Sequence, residues 1–286
     1  MRNLTEENLS DAVIAAMAGA KDARFKEIMT GLVKHLHAFI REVDLTEAEW
    51  LAGIQFLTAV GQKCDEKRQE FILLSDTLGA TTMKDIINNR KPPGVTEYTI
   101  LGPFHRPDAP KFPLAGDIAG RIHGESVFLR GRVLGPDGSP IPNAMLDVWQ
   151  SDAEGFYDLQ KADVNGTALR GIFHTDADGN YHFRSIKPAF YPIPDDGPVG
   201  QMLIAMGRHP YRPAHIHFIV SAGGYQPVTT ELFVAGDPYL DSDAVFGVRE
   251  SLIVPFVRND SEEDAQRLGA SVPFFTADYD FILEPA

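Results

Sequence analysis

Two histidines stand two residues apart in Arg212-Pro213-Ala214-His215-Ile216-His217-Phe218-Ile219-Val220. On a strand the side chains alternate between faces, so His215 and His217 point the same way and can chelate one ion. A contrasting pair, His35 and His37 in Lys34-His35-Leu36-His37, falls in a helical pattern, where residues two apart diverge and share no metal. The single cysteine, Cys64, excludes an internal disulfide and any cysteine-rich cage, so further ligands must offer oxygen or nitrogen. Carboxylates and phenolates both qualify, and the local sequence favours phenolates. Tyr157 occupies a turn, Ser151-Asp152-Ala153-Glu154-Gly155-Phe156-Tyr157-Asp158, and Tyr191 a proline-bracketed loop, Pro188-Ala189-Phe190-Tyr191-Pro192-Ile193-Pro194. Taken singly, either tyrosine also suits a sheet edge that buries the ring and wets the hydroxyl.

The elements that must carry these residues differ along the chain. Phe25, Ile28, Met29, Leu32, Val33, Leu36, Phe39, Ile40 and Val43 follow a three-then-four spacing, which predicts an amphipathic helix. Thr46-Glu47-Ala48-Glu49 reads as a capping box opening a second helix through Trp50, Leu51, Ile54, Leu57 and Val60. Helical patterns also surround 71–78 and 83–87, and Lys91-Pro92-Pro93-Gly94 closes this first third. Beyond it the period becomes two, with strands expected at 127–134, 144–149, 181–186, 215–220, 229–234 and 251–257 between Asp-Gly, Gly-Gly and proline joints. The expected fold is α+β: a helical domain over 1–96 and an antiparallel β-sandwich over 97–286.

Composition narrows the function classes. With 286 residues, 44% of them hydrophobic, a packed core is affordable. A formal charge of −14 argues against nucleic acid, whose affinity comes from clustered Lys and Arg. No apolar run is long enough to cross a bilayer and Met1-Arg2-Asn3-Leu4-Thr5-Glu6-Glu7 lacks a secretion signal, so no membrane association and a cytoplasmic location are expected.

Several motifs resemble the intradiol aromatic-ring dioxygenases. They are Ile100-Leu101-Gly102-Pro103-Phe104, Asp147-Val148-Trp149-Gln150 with Gly155-Phe156-Tyr157, Gly197-Pro198, the 212–217 segment above, and Ala235-Gly236-Asp237-Pro238. The likeness runs over about 97–256, and the helical first third is similar to the N-terminal domain of the catechol and hydroxyquinol branch. It implies one Fe(III) per subunit, bound by Tyr157, Tyr191, His215, His217 and a solvent hydroxide. By the same resemblance Tyr191 leaves the metal and acts as a base when substrate arrives, and Arg212 stands beside the ring.

The stretches 147–160, 192–200 and 245–248 look like the hydroxyquinol branch, so benzene-1,2,4-triol with O₂ is the expected substrate and catechol or a chlorocatechol the alternative. The resemblance places Leu73, Asp76, Ile100, Pro103, Phe104, Ala244 and Val245 around the ring, with Asp76 able to accept a hydrogen bond from a third hydroxyl. Glu231 departs from the glutamine usual in catechol enzymes. A homodimer through the helical domain, with phospholipid bound between its copies, is also implied. Phenolate oxygen is a hard anionic donor suited to ferric iron, and two phenolates plus hydroxide balance its charge. A zinc hydrolase on these four residues would be exceptional, because zinc sites use Cys, His and carboxylate. A non-catalytic sandwich module is compatible with Asp137-Gly138-Ser139-Pro140 but leaves the histidines, tyrosines and Arg212 without a purpose.

Overall fold

A computed structural model describes residues 2–66, 68–161 and 166–286. The chain divides into two compact units, Met1–Gln62 and Lys63–Ala286. In the first lie α1 (Leu9–Ala16), α2 (Ala23–Glu42) and most of α3 (Glu47–Lys63). Asp22 caps α2, accepting from the backbone N–H of Arg24 at 2.8 Å and of Phe25 at 3.0 Å. The expected capping box opens α3: Glu49 N–H donates to Thr46 Oγ1 at 3.3 Å while Glu49 Oε2 accepts from Thr46 N–H at 2.9 Å. The histidines on α2 diverge. His35 is exposed, whereas His37 Nδ1 bonds Ser10 Oγ at 3.0 Å. The apolar stripe of α2 faces outward, and Phe25, Ile28, Leu32, Leu36 and Phe39 are each about half exposed. No helix among the described residues is long and apolar enough to cross a membrane.

The second unit opens with α4 (Glu70–Thr77) and α5 (Ala80–Asn88), followed by β1 (Ser126–Leu134), β2 (Met145–Gln150), β3 (Arg170–His174), β4 (Asn180–Ile186) and β5 (Tyr191–Pro192). Then come α6 (Pro198–Ala205), β6 (Tyr211–Arg212), β7 (His215–Ser221), β8 (Val228–Val234), β9 (Ile253–Val254), β10 (Val257–Asn259), α7 (Glu262–Leu268), β11 (Phe274–Asp278) and β12 (Phe281–Ile282). One five-stranded sheet runs β3-β2-β7-β8-β9, and the other runs β10-β11-β1-β12 with β4 also on β1. Most pairs are antiparallel, but β1 pairs in parallel with β11 and β12, and β8 with β9, so the sheets are mixed.

The run expected as one strand over 251–257 is broken in two. A short 3₁₀ turn covers Glu250–Leu252, β9 joins β8, and after Pro255 the chain crosses to the other sheet as β10 against β11. Proline has no N–H to give the ladder, which makes it the natural place for the switch.

Alternation decides which side chains enter the core between the sheets. Ile216, Phe218 and Val220 of β7 meet Leu146 and Val148 of β2 and Val127, Leu129 and Phe183 from the other sheet, all essentially without solvent contact. Burying one such side chain contributes about 1.5–3 kcal/mol. The same period turns His215 and His217 to the opposite face of the sheet.

Candidate metal centre

Three pieces of chain meet on that face. β7 supplies His215 and His217, each 1% exposed. The turn after β2 supplies Tyr157, and β5, paired in register with β6 so that Tyr191 lies opposite Arg212, supplies the second phenol. Within the turn Asp152 Oδ1 accepts from the N–H of Glu154 at 2.9 Å and of Phe156 at 3.0 Å, which folds the backbone back before Tyr157. Gly155 stands at φ +86, and a Cβ there would come within 2.5 Å of Tyr191 Cβ. Only glycine lets the two tyrosine loops approach this closely.

Four donor atoms converge. Tyr157 Oη lies 3.3 Å from Tyr191 Oη, both phenol oxygens lie 3.4 Å from His215 Nε2, and the two histidine Nε2 atoms are 3.2 Å apart. Donors that share one ion at a bond length of about 2.0–2.1 Å are separated by roughly this much. His215 Nδ1 lies 2.7 Å from the Pro213 carbonyl, which can only accept, so Nδ1 carries the ring proton and Nε2 turns a lone pair inward. Burial, then the neighbouring His215, holds His217 well below the usual imidazole range, and burial followed by Arg212 lowers His215. Both rings are therefore neutral and able to donate to a metal. Burial, then the adjacent Tyr191, pushes the Tyr157 phenol well up. Burial also raises Tyr191, against the pull of Arg212. Such phenols ionise only beside a cation, so the donor set fits a metal ion and is poorly served without one.

His215, His217 and Glu231 also form a geometrically possible ligand trio. Glu231 is already committed, however: Arg212 Nη1 donates to its Oε1 at 2.7 Å and Nη2 to its Oε2 at 3.2 Å. Burial opposes the charge on Glu231, but the Arg212 guanidinium outweighs it and the carboxyl is held below its usual value. Neither phenol oxygen is held by a two-point guanidinium contact, although Arg212 also pulls on Tyr191, which makes the phenols the better ligands.

The surroundings hold these donors in place. Trp149, opposite His217 in the β2–β7 register, stacks on its ring with centroids 4.7 Å apart and planes at 3°. Phe104 stacks on Tyr157 at 4.4 Å. Arg170, buried on β3, donates to Asp158 Oδ1 at 2.9 Å and Oδ2 at 2.8 Å and to the Phe104 carbonyl at 2.6 Å, so one guanidinium fixes both neighbours of Tyr157.

Leu73, Ile100, Ala244 and Val245 gather in one apolar cluster together with Ile193 and Leu203. Thr82 Oγ1 and Arg208 Nη2 hold that wall by donating to the Val245 and Ala244 carbonyls, each at 2.9 Å. Asp76 is buried on α4 and its Oδ1 makes no hydrogen bond among the described residues. Pro103 is exposed in the turn leading to Phe104. The sequence reading does not single out Trp149, Arg170 or Asp158 as positioning groups. The alternation of β2, which puts Trp149 on the face opposite Val148, was the one available signal.

Comparison with known proteins places the chain in one family. The family described as "Dioxygenase" matches residues 102–285, and "Catechol dioxygenase N terminus" matches 22–96. The chain is 51% identical over 280 residues to hydroxyquinol 1,2-dioxygenase of Rhizobium sp. (strain MTP-10005), covering 97% of this chain and 95% of that protein. It is 50% identical over 285 residues to 6-chlorohydroxyquinol 1,2-dioxygenase of Cupriavidus pinatubonensis, covering 100% and 99%. The solved structure of hydroxyquinol 1,2-dioxygenase from Pseudomonas putida DLL-E4 superimposes with a TM-score of 0.93 at 46% identity, over 98% of this chain and 99% of that one. With both domain signatures present and relatives at this identity along its whole length, the chain belongs to the intradiol ring-cleavage dioxygenases.

Proposed function

We propose that the protein is an Fe(III)-dependent hydroxyquinol 1,2-dioxygenase, which opens benzene-1,2,4-triol between adjacent hydroxyls and incorporates both atoms of O₂ to give maleylacetate. The observation that carries this reading is the convergence of two buried phenols and two neutral imidazoles, with both phenol oxygens and His217 Nε2 within 3.2–3.4 Å of His215 Nε2 and the phenol oxygens 3.3 Å apart. The 51% identity to a hydroxyquinol enzyme supports the choice of substrate. Tyr157, Tyr191, His215 and His217 are the proposed ligands.

When bound, ferric iron supplies an electron-withdrawing centre that makes the diolate ring reactive towards O₂. Tyr191 Oη, as a phenolate, is the base that takes a proton from one substrate hydroxyl. Tyr157, gripped between Phe104 and the Asp158–Arg170 pair, stays in place. Leu73, Ile100, Phe104, Ala244 and Val245 form the wall that receives the ring and excludes water, with Pro103 at its rim, and Asp76 accepts from the third hydroxyl. Arg212 offers an N–H to negative charge developing on the substrate, a contribution of about 3–4 kcal/mol for comparable donors. Arg212→Ala is expected to keep its iron and lose roughly 100- to 1000-fold in kcat.

The same reading assigns the helical domain, 1–96, to dimerisation and 97–286 to catalysis, with Leu73 and Asp76 of the first segment contributing to the substrate wall, in a cytoplasmic homodimer with phospholipid between its helical domains. The two family matches, ending at 96 and beginning at 102, support the division. Acyl chains released from purified dimer and detected by mass spectrometry would test the lipid. The central experiment measures iron content, visible colour and kcat/KM for benzene-1,2,4-triol, catechol and a chlorocatechol. Tyrosinate-to-iron charge transfer should colour the protein red and the triol should be preferred. Active protein that is colourless and iron-free would refute the metal site, and preference for catechol would refute the substrate.

A further inference from the structure

Arg212 has five N–H groups in one rigid plane, and the structure accounts for all of them. Nε at 3.1 Å and one proton of Nη2 at 3.2 Å go to the two oxygens of Asp243. The other Nη2 proton at 3.2 Å and one Nη1 proton at 2.7 Å go to the two oxygens of Glu231. A single N–H remains, on Nη1, and it faces His215 Nε2 at 3.3 Å, with the Tyr191 phenol also within reach of the guanidinium. That last partner differs in kind, because the lone pair it meets is the one a metal would take.

Around the guanidinium the packing leaves little play. Asp243 also orders the substrate wall, since its Oδ1 accepts from Val245 N–H at 3.3 Å and its Oδ2 from Gly247 N–H at 2.8 Å. At Gly247 a Cβ would stand 2.8 Å from Arg212 Nη2, 3.0 Å from Asp243 Oδ2 and 3.2 Å from Glu231 Oε2. Two carboxylates against one guanidinium leave the group with one more negative than positive charge. Arg212 therefore does not act as a bare cation.

We propose that Glu231 and Asp243 are positioning residues that hold four of the Arg212 N–H groups and aim the fifth, on Nη1, at the reacting face, where occupation of His215 Nε2 by metal frees it for substrate. The proposal rests on the reading above of His215 as a ligand and Arg212 as the group beside the ring. It predicts that a lysine, with no planar fork, does not replace Arg212, and it explains why the position after Phe246 holds no side chain.

The test uses the iron-loaded full chain and three variants, Asp243→Asn, Glu231→Gln and Gly247→Ala, beside Arg212→Ala. Gly247→Ala removes no charge and no hydrogen-bonding group, so it perturbs aim alone. Expected for Asp243→Asn and Gly247→Ala are unchanged iron content and visible band, and a dissociation constant for the triol, titrated spectroscopically without O₂, within about threefold of the parent. Their kcat should fall roughly 10- to 100-fold, and Glu231→Gln, which keeps one acceptor, should fall less. Adding Asp243→Asn to Arg212→Ala should slow it no further, because both act through one N–H. Parental kcat in Asp243→Asn and Gly247→Ala, or an additive double variant, overturns the proposal. So does loss of iron or fold in Asp243→Asn, since Asp243 bonds none of the four donors. If Arg212→Ala itself turns over normally, the reading of Arg212 fails first and this inference falls with it.

Discussion

Asp76 shows what burying a carboxyl costs the fold. It is buried, and burial raises its carboxyl above the usual range despite a hydrogen bond from Thr81 and the pull of Arg212. A raised folded pKa means that the native state holds the proton more tightly than the unfolded chain. Between the unfolded value near 3.9 and the raised folded one, stability therefore falls as pH rises, and the penalty is complete at neutral pH. Asp76→Asn should melt at a higher temperature than the parent at pH 7, with the difference vanishing in acid below about pH 3.9. Thermal melts at the two pH values decide this, and equal melting at pH 7 would show that the burial is harmless. Asp76→Leu, which removes the acceptor, should lower kcat/KM for the triol relative to catechol by roughly 10- to 100-fold, the effect of about 1–3 kcal/mol from one lost hydrogen bond. An unchanged ratio would remove Asp76 from substrate recognition. At this scale the histidines were readable in advance, because a strand's period of two fixes where His215 and His217 point. Asp243 was not, because it lies in an irregular stretch with no period to read.

Elements bring the tyrosines together, and here the sequence is only partly legible. Period-two runs located β1, β2, β4, β7 and β8, but local alternation carries no information about partners. The parallel pairing of β1 with β11 and β12 joins stretches far apart in the chain. The convergence of Tyr157 with Tyr191 depends equally on non-local contacts: the two-residue ribbon of β5 and β6, and the close approach at Gly155. Gly155→Ala places a methyl against Tyr191 Cβ and forces a positive φ on a residue that resists it, at about 1–3 kcal/mol. The expected result is weaker iron binding and a paler protein although no donor has changed, measured as iron per chain after dialysis against a chelator. Full retention of iron would show that the loops yield without moving the phenols. Asp158 and Arg170 pin the same turn from inside. Burial works against the Asp158 charge, yet the Arg170 guanidinium holds its carboxyl below the usual range. This pair therefore stabilises the fold above pH ~4 and ceases to do so as pH falls through the depressed folded value. Arg170→Met leaves a buried carboxylate alone and should cost about 3–5 kcal/mol, read from denaturant unfolding at pH 7.

At the scale of the molecule, every proposed ligand and every residue proposed to touch substrate, from Leu73 to Val245, belongs to the unit Lys63–Ala286. The unit Met1–Gln62 contributes none of them, yet it carries an outward stripe of Phe25, Ile28, Leu32, Leu36 and Phe39 along α2. A contiguous apolar face of this kind is unusual on a monomer and common where two copies of a chain meet. A chain with a formal charge of −14 repels its own copies at long range, so any association would have to come from short-range apolar burial, which salt does not weaken. If the stripe is the dimer interface, Leu32→Glu combined with Leu36→Glu places charges at adjacent turns of both copies and opposes association. Sedimentation velocity should then show the mass falling from two chains to one, at low and high salt alike. Because every proposed ligand lies in the other unit, the monomer should keep its iron and a kcat within about threefold of the parent, a change below ~0.7 kcal/mol. A double variant that still sediments as a dimer would move the interface off α2, and a monomer that loses its iron would show that the helical unit supports the metal centre across the division between the two units.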